Sequence, residues 1–155
     1  MLRNPLHLLS LGFGSGLSPH APGTMGTLVA VPLYLMLSRL ELIAYLIAIA
    51  SGFILGIYVC HYTSKALGVH DHSGIVWDEI IGYWITMIAV PAPTWQWILT
   101  GFVLFRFFDI VKPWPVNLAD KHLPGGFGIM IDDVLAGLYA FACIQTFWFF
   151  AADKL

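Results

Sequence analysis

The chain has 155 residues, of which 59% are hydrophobic and only 10% are charged. Because about 25% of the residues in a soluble domain are charged, this composition excludes an ordinary soluble domain and a disordered chain. The net charge of −2 gives no basic surface for nucleic acid, and Cys60 and Cys143 lie in apolar runs that fit neither a disulfide framework nor a zinc site. Residues 1–155 are therefore expected to form one membrane-embedded domain.

Uncharged runs predict where the chain crosses the membrane. Residues 42–60 and 134–152 are two runs of 19 residues without a charged side chain, and residues 25–38 are apolar, with Pro32 as a point of kinking. About 20 apolar residues span a hydrocarbon core of ~30 Å. Each run therefore predicts one membrane helix.

A longer uncharged run, residues 80–105, contains Pro91 and Pro93 followed by Thr94. The two prolines break a helix, and Thr94 is a suitable N-cap for a new one, so the run predicts a hairpin of two short helices. The expected fold is an all-α polytopic membrane helix bundle with interfacial loops and about five membrane helices, at 25–38, 42–60, 75–90, 95–110 and 133–151.

This topology distributes charge unequally between the two faces of the membrane. The turns at 38–41 and 91–94 share the first face with the C-terminus, whereas segments 1–24, 61–78 and 111–132 share the second. The second face receives five of the 7 Lys and Arg residues and seven of the 9 acids. The positive-inside rule predicts that this face is cytoplasmic.

Two pairs of adjacent carboxylates are the strongest chemical signal. Asp78 and Glu79 lie at the start of the third predicted helix, and Asp132 and Asp133 start the fifth, behind a glycine-rich segment at 125–128 that is expected to be a loop. Acids at a helix N-terminus often serve only as caps or dipole partners. Two pairs beside apolar helices nevertheless favour oxygen ligation of Mg²⁺, at one ion or two, and sharing requires the pairs to meet within about 8 Å.

Two further segments could bind phosphate. Arg106, Asp109 and Lys112 have i, i+3, i+6 spacing, which indicates either a phosphate clamp or an interfacial salt-bridge ladder. The glycine-rich segment 12–27 carries the hydroxyls of Thr24 and Thr27 near a helix start. It resembles an anion-binding loop or an interfacial turn, without the lysine of a P-loop.

Histidines also fall on the predicted cytoplasmic face, where most such residues are polar anchors. They include His20, His61, His70, His72 and His122. His20, which lies within the glycine-rich segment, is a candidate substrate-binding residue.

Four motifs in this order resemble those of the phosphatidylglycerophosphatase A family, over roughly residues 10 to 140. They are Ala-Pro-Gly-Thr-Met-Gly-Thr at 21–27, Trp-Asp-Glu-Ile-Ile-Gly at 77–82, Phe-Arg-Phe-Phe-Asp-Ile-Val-Lys-Pro at 105–113 and Gly-Phe-Gly-Ile-Met-Ile-Asp-Asp-Val-Leu-Ala-Gly at 126–137. The resemblance implies a Mg²⁺-dependent lipid phosphatase of the bacterial inner membrane. Such an enzyme removes the terminal phosphate of phosphatidylglycerophosphate, which completes phosphatidylglycerol synthesis and feeds cardiolipin synthesis.

The resemblance also implies roles for individual residues at a cytoplasmic active site: the acidic motif positions are expected to be catalytic, and the basic ones to bind the substrate. The threonines and the histidine of the glycine-rich segment are further candidate substrate-binding residues, and these come from the sequence itself. The catalytic set is Asp78, Glu79, Asp109, Asp132 and Asp133, and the substrate-binding set is Thr24, Thr27, Arg106, Lys112 and His20.

Other mechanisms and functions remain open at this level. Both water and an aspartate are compatible with these residues as the nucleophile. A small cation transporter or channel subunit is the alternative function, since membrane carboxylates also line ion paths, and a purely structural subunit is a third. The lipid substrate and the bilayer are the expected partners, with no nucleic acid, and the sequence sets no oligomeric state.

Overall fold

The computed structural model describes residues 2–152, whose regular elements are all helical, as expected. Asp153 and Lys154, counted above with the C-terminus, lie outside the described residues. Within residues 2–152, a 3₁₀ segment, Gly12–Leu17, separates the first two of seven α-helices. The helices are α1 Pro5–Ser10, α2 Pro22–Leu37, α3 Leu42–Leu67, α4 Trp77–Thr86, α5 Trp95–Val111, α6 Val116–His122 and α7 Gly125–Ala152.

The predicted hairpin between α4 and α5 is confirmed. Helix α4 ends at Thr86, four residues earlier than expected, and α5 begins after Thr94, whose backbone is extended. The Tyr83 hydroxyl donates a hydrogen bond to the Ile98 carbonyl at 3.1 Å and ties the two helices together. The chain therefore reverses direction, so the start of α4 and the end of α5 lie at the same end of the bundle.

The two predicted turns also meet at one end of the bundle, opposite to the start of α4. Ser38 and Leu40, which follow α2, line one pocket together with Pro91 and Pro93 of the hairpin. The sequence-based grouping of these turns on a common face is confirmed.

The start of α7 differs from the prediction. The glycine-rich segment is not a loop: it forms the first turn of a helix that begins at Gly125, eight residues before the expected start. A Cβ atom on Gly126 would lie 1.9 Å from the carbonyl oxygen of Ile57 in α3, so glycine permits close helix packing there. Asp132 and Asp133 consequently lie about two turns inside the helix and are not caps.

Helices α4 and α7 cross with their backbones in contact. A Cβ atom on Gly137 would lie 2.5 Å from the carbonyl oxygen of Gly82, and one on Gly82 would lie 2.8 Å from the carbonyl oxygen of Asp133. Small residues allow this close approach in helix pairs. The crossing lies one turn beyond each acidic pair and therefore brings the two pairs together.

Two helices, α3 and α7, are long and apolar enough to cross a membrane, judged by length and composition. Helix α2 is apolar but shorter. Helix α4 has 10 residues, or about 15 Å, against a hydrocarbon core of ~30 Å. The structure thus supports two candidate spans, and the bundle of five membrane helices stays a prediction.

The crossing of α4 and α7 generates a stability prediction. Gly137→Leu should destabilise the fold by about 1–3 kcal/mol, because the new side chain has to displace the backbone of Gly82. Thermal unfolding in detergent micelles measures the loss. Ala142→Leu, at an exposed position on the same helix, is the matched control and should unfold at the wild-type temperature. Equal unfolding temperatures for the two variants would contradict the crossing.

Candidate active site

One polar cavity of about 260 Å³ lies at the end of the bundle opposite to the turns. Its wall is formed by the starts of α2 and α4, the end of α5, the first third of α7 and the segment before α4. Six carboxyl groups and two cationic groups line it, namely Asp71, Asp78, Glu79, Asp109, Asp132, Asp133, Arg106 and Lys112.

The two acidic pairs meet in this cavity. Side-chain oxygens of Asp78, Asp132 and Asp133 all lie within 4.8 Å of one another, and all three residues are buried. Asp78 occupies the first turn of α4, where the helix dipole favours a negative charge. The expectation that carboxylates more than 50 residues apart converge on a common point is confirmed.

A second acidic cluster shares one residue with the first. Side-chain oxygens of Glu79, Asp109 and Asp133 also lie within 4.8 Å of one another. Glu79 therefore groups with Asp109 rather than with Asp132, which differs from the predicted ligand set. Asp133 belongs to both clusters and joins them into one continuous acidic surface.

Arg106 belongs to the second cluster. Its guanidinium forms an ion pair with Asp109, one turn further along α5, and its Nη1 lies 3.9 Å from Oε1 of Glu79. Its Nε is buried without a hydrogen-bond partner among residues 2–152. Arg106 thus holds two carboxylates and keeps one donor available.

Lys112 does not continue this ladder along α5. The helix ends at Val111, and Lys112 follows it in a left-handed conformation with φ of 47°. Its Nζ donates hydrogen bonds to Asp120 at 2.6 Å and to Asp132 at 2.9 Å. Because the helix stops before Lys112, the predicted common face of three residues is not formed, and the lysine instead links α6 to α7.

The pKa of Lys112 is raised above its ordinary value. Burial on its own would lower the pKa of the ammonium group, but the hydrogen bonds and the charges of Asp120 and Asp132 outweigh this effect. Lys112 is therefore a fixed positive charge at the cavity.

The donor set fits a hard divalent cation. Buried oxygens of Asp78, Glu79 and Asp133 have no hydrogen-bond partner within the described part of the chain. Unpartnered buried carboxylates are costly, and two cationic groups do not neutralise six carboxyl groups. Oxygen ligands of this kind are those that Mg²⁺ takes in proteins.

The start of α2 closes the cavity through its backbone. A Cβ atom on Gly23 would lie 2.4 Å from Oε1 of Glu79 and 2.9 Å from Nη1 of Arg106. The glycine allows the main chain of α2 to press directly against this carboxylate and guanidinium. Ala21 and Pro22 form the adjoining wall.

The remaining predicted substrate-binding residues are not in the cavity wall. The Thr27 hydroxyl is fully buried and donates to the Gly23 carbonyl at 2.9 Å, because both residues already belong to α2. The hydroxyl therefore does not face the cavity, and its contact with phosphate stays a prediction. His20 is exposed and Thr24 is half-buried, and neither lines the cavity among the residues described.

Sequence reasoning assigned no role to three polar residues near the site. Asp71 and Ser73, from the segment before α4, line the cavity, and Asp120 of α6 binds Lys112. The two aspartates had been counted only as charges on the predicted cytoplasmic face. That count was the available signal, since none of the three lies in a recognised motif.

Comparison with known proteins identifies close similarities. The family model for Phosphatidylglycerophosphatase A matches residues 8–148. Phosphatidylglycerophosphatase A of Escherichia coli K12 is 52% identical over 137 residues, covering 88% of this chain and 80% of the relative. The Haemophilus influenzae protein of the same name is 54% identical over 140 residues, covering 90% and 86%.

A relative with lower identity is named for a different activity. A Bacteroides thetaiotaomicron protein, provisionally named as a phosphatidylinositol-3-phosphatase, is 42% identical over 146 residues, covering 90% of this chain and 91% of the relative. No solved structure matches the chain.

The bridge made by Lys112 generates a prediction about pH. Lys112→Met should lower the stability by about 1–3 kcal/mol at neutral pH, because it leaves the buried Asp132 without a cation. At acidic pH the carboxylates take up protons and no longer need the cation, so the loss of stability relative to wild type should become smaller. Thermal unfolding of both proteins at neutral and at acidic pH measures this loss. Lys65→Met, at an exposed position on α3, is the control, and a pH-independent loss would count against the bridge.

Proposed function

This chain belongs to the phosphatidylglycerophosphatase A family, and from that premise we propose that it hydrolyses the terminal phosphate of phosphatidylglycerophosphate in a Mg²⁺-dependent reaction. The product is phosphatidylglycerol, so the reaction completes the synthesis of this lipid and supplies cardiolipin synthesis. We place the enzyme in the bacterial inner membrane as a five-helix membrane bundle, with its active site on the cytoplasmic face. The positive-inside rule supports this orientation.

The observation that carries the proposal is the charge arrangement of the cavity. A phosphate monoester has a charge of about −1.5 to −2 at pH 7, and carboxylates alone would repel it. The cavity combines its carboxyl groups with Arg106 and Lys112 at one end of an apolar bundle. It is therefore suited to binding cations first and, with their help, a dianionic headgroup.

Magnesium would be held by the two acidic clusters. Asp78, Asp132 and Asp133 form the first set of ligands, and Glu79 and Asp109 extend it through Asp133. When bound, Mg²⁺ would neutralise negative charge on the phosphoryl oxygens and thereby make the phosphorus more electrophilic toward the attacking water. Asp133 is the residue on which both sets depend.

Arg106 and Lys112 bind and orient the phosphoryl group. The Nε and Nη2 groups of Arg106, on the edge away from the Nη1 that pairs with Asp109 and approaches Glu79, offer a forked contact to two phosphate oxygens. Lys112 offers a point charge that Asp120 and Asp132 hold in place. Both cations oppose the charge that spreads over these oxygens in the transition state.

The reaction transfers the phosphoryl group to water. The oxygen of a water molecule forms a bond to phosphorus while the bond from phosphorus to the glycerol oxygen breaks. A cavity carboxylate accepts one proton of the attacking water and returns a proton to the departing glycerol oxygen, which becomes the hydroxyl of phosphatidylglycerol, while the second hydrogen of the water stays on the released phosphate. The buried carboxylate oxygens that have no hydrogen-bond partner among residues 2–152 are candidates for this transfer.

The alternative function, a cation transporter or channel subunit, is not supported. The carboxylates gather in one cavity at one end of the bundle. The pocket at the opposite end is lined by apolar and neutral polar residues in the part of the chain described. The Escherichia coli and Haemophilus influenzae relatives are phosphatases by name.

Phosphate release by the purified protein tests the proposal. In mixed micelles, phosphatidylglycerophosphate should yield inorganic phosphate with Mg²⁺ and none after EDTA treatment. A separate assay with phosphatidylinositol 3-phosphate tests the activity for which the Bacteroides thetaiotaomicron relative is named. Activity that survives exhaustive chelation would remove the metal from the mechanism, and exclusive use of the inositol lipid would overturn the substrate.

Replacing Asp133 tests the acidic clusters. Asp133→Asn should reduce kcat by at least about 100-fold, because both ligand sets lose a charge, while the unfolding temperature stays at or above wild type without Mg²⁺ since repulsion is relieved. Initial rates and thermal unfolding measure the two effects. Glu41→Gln, at an exposed position outside the cavity, is the control. A fully active Asp133→Asn enzyme would exclude this residue from the site.

Replacing Arg106 tests the phosphate clamp. Arg106→Lys should lower kcat/KM by about 30-fold, or about 2 kcal/mol, because a point charge cannot reproduce the forked contact. Steady-state kinetics with the lipid substrate measure the loss. Arg39→Lys, between α2 and α3 at the other end of the bundle, is the matched control. If Arg106→Lys keeps the wild-type kcat/KM, Arg106 does not bind the phosphate and serves only as the ion-pair partner of Asp109.

A further inference from the structure

An apolar groove runs along the outside of the bundle between α5 and α7. Its volume is about 640 Å³, more than twice that of the polar cavity. Leu99 and Val103 of α5 and Phe147 of α7 are 53%, 57% and 64% exposed on its walls. Ile144 is fully buried and forms its floor. The groove is therefore a preformed concave surface within the range of volumes typical of ligand pockets.

The polar cavity cannot hold the whole of a diacyl lipid. A volume of about 260 Å³ lined by charged groups accommodates a phosphorylated headgroup, whereas acyl chains belong against apolar surface. The chains of a bound lipid must therefore leave the cavity and lie along the outside of the bundle.

The groove lies on the two helices that carry the site. Arg106 and Asp109 are near the end of α5, and Asp133 is in the first third of α7. The two helices run in opposite directions. Where the two helices pack together, the rings of Phe108 and Tyr139 stack with centroids 5.3 Å apart, and the groove residues Leu104 and Cys143 follow one turn further from the site. These four residues are uncharged, so an apolar path leads from the edge of the site into the groove.

The groove begins close to the site and extends away from it along both helices. Val103 lies about 5 Å from Arg106 along the axis of α5, and Cys143 and Phe147 lie about 15 Å and 21 Å from Asp133 along α7. One leaflet of a ~30 Å hydrocarbon core is about 15 Å deep. A chain attached to a headgroup in the cavity fills the groove along its length only if it is long.

We propose that the groove between α5 and α7 binds one acyl chain of the lipid whose phosphorylated headgroup occupies the polar cavity. This inference rests on the proposed lipid phosphatase function and adds a determinant of chain length to it. The groove contributes binding energy far from the reacting phosphorus, so it acts on KM for long-chain substrates.

Val103→Trp fills the groove and tests the proposal kinetically. For dipalmitoyl phosphatidylglycerophosphate in mixed micelles, this variant should raise KM by about ten-fold with kcat within about two-fold of wild type. With the dihexanoyl substrate, whose chains are too short to fill the groove, KM should rise by less than about two-fold. Ile54→Trp, at an exposed position on α3, is the control and should match wild type on both substrates.

The kinetic outcomes separate the two proposals. An unchanged KM for the long-chain substrate, or an equal rise for both chain lengths, would overturn the acyl-chain groove while leaving the phosphatase function intact. A wild-type protein that releases no phosphate from either substrate would overturn the proposed function.

A binding measurement tests the groove independently of activity. Phosphatidylglycerol with a photoreactive diazirine near the end of one acyl chain should crosslink to residues 99–104 and 143–147, and Val103→Trp should abolish this crosslink. Crosslinks spread evenly over the exposed faces of all helices would contradict the proposal. Disulfide-linked dimers through Cys143, with no lipid crosslink in the groove, would assign the surface to a second copy of the chain.

Discussion

The buried negative charge between α4 and α7 is the constraint on which the rest of the structure depends. Six carboxyl groups share a cavity with two cationic groups, and three of the carboxyl oxygens are buried without a hydrogen-bond partner among residues 2–152. Such an arrangement opposes folding, because each unpaired charge loses its hydration. The close crossing at Gly82 and Gly137 holds the two acidic pairs together against this repulsion. A stable apolar bundle thus stabilises a site that is unfavourable by itself, as active sites commonly are.

The cationic side chains play two parts in this balance. Arg106 pairs with Asp109 and approaches Glu79, while Lys112 bridges Asp120 and Asp132. These pairs lower the repulsion among the carboxylates in the free protein. In the proposed reaction Arg106 and Lys112 bind an anionic phosphate, and the carboxylates would hold a divalent cation that supplies the neutralisation these pairs give in the free protein. Folding and the proposed catalysis therefore use the same charges.

The bundle is polar at one end and apolar along its length, like the lipid on which it is proposed to act. The end of α5 and the first third of α7 present charged groups, and the following turns of both helices present the groove that includes Val103 and Phe147. One pair of helices thus faces both parts of an amphiphile. Because the helices are rigid, the distance between headgroup site and groove is set by helical rise rather than by flexible loops.

The helical class, the hairpin and the convergence of the acidic pairs could be predicted from the sequence. Apolar runs, Pro91 and Pro93 act on the local backbone, so their effect can be predicted without knowing what packs nearby. Tertiary packing was needed to show that α7 begins at Gly125, that Lys112 binds acids of two other helices and that the Thr27 hydroxyl donates to its own backbone. These contacts join segments that are far apart in the chain. The local sequence shows that a glycine permits close packing or that a helix ends, but the residue that it contacts is known only once the helices have packed.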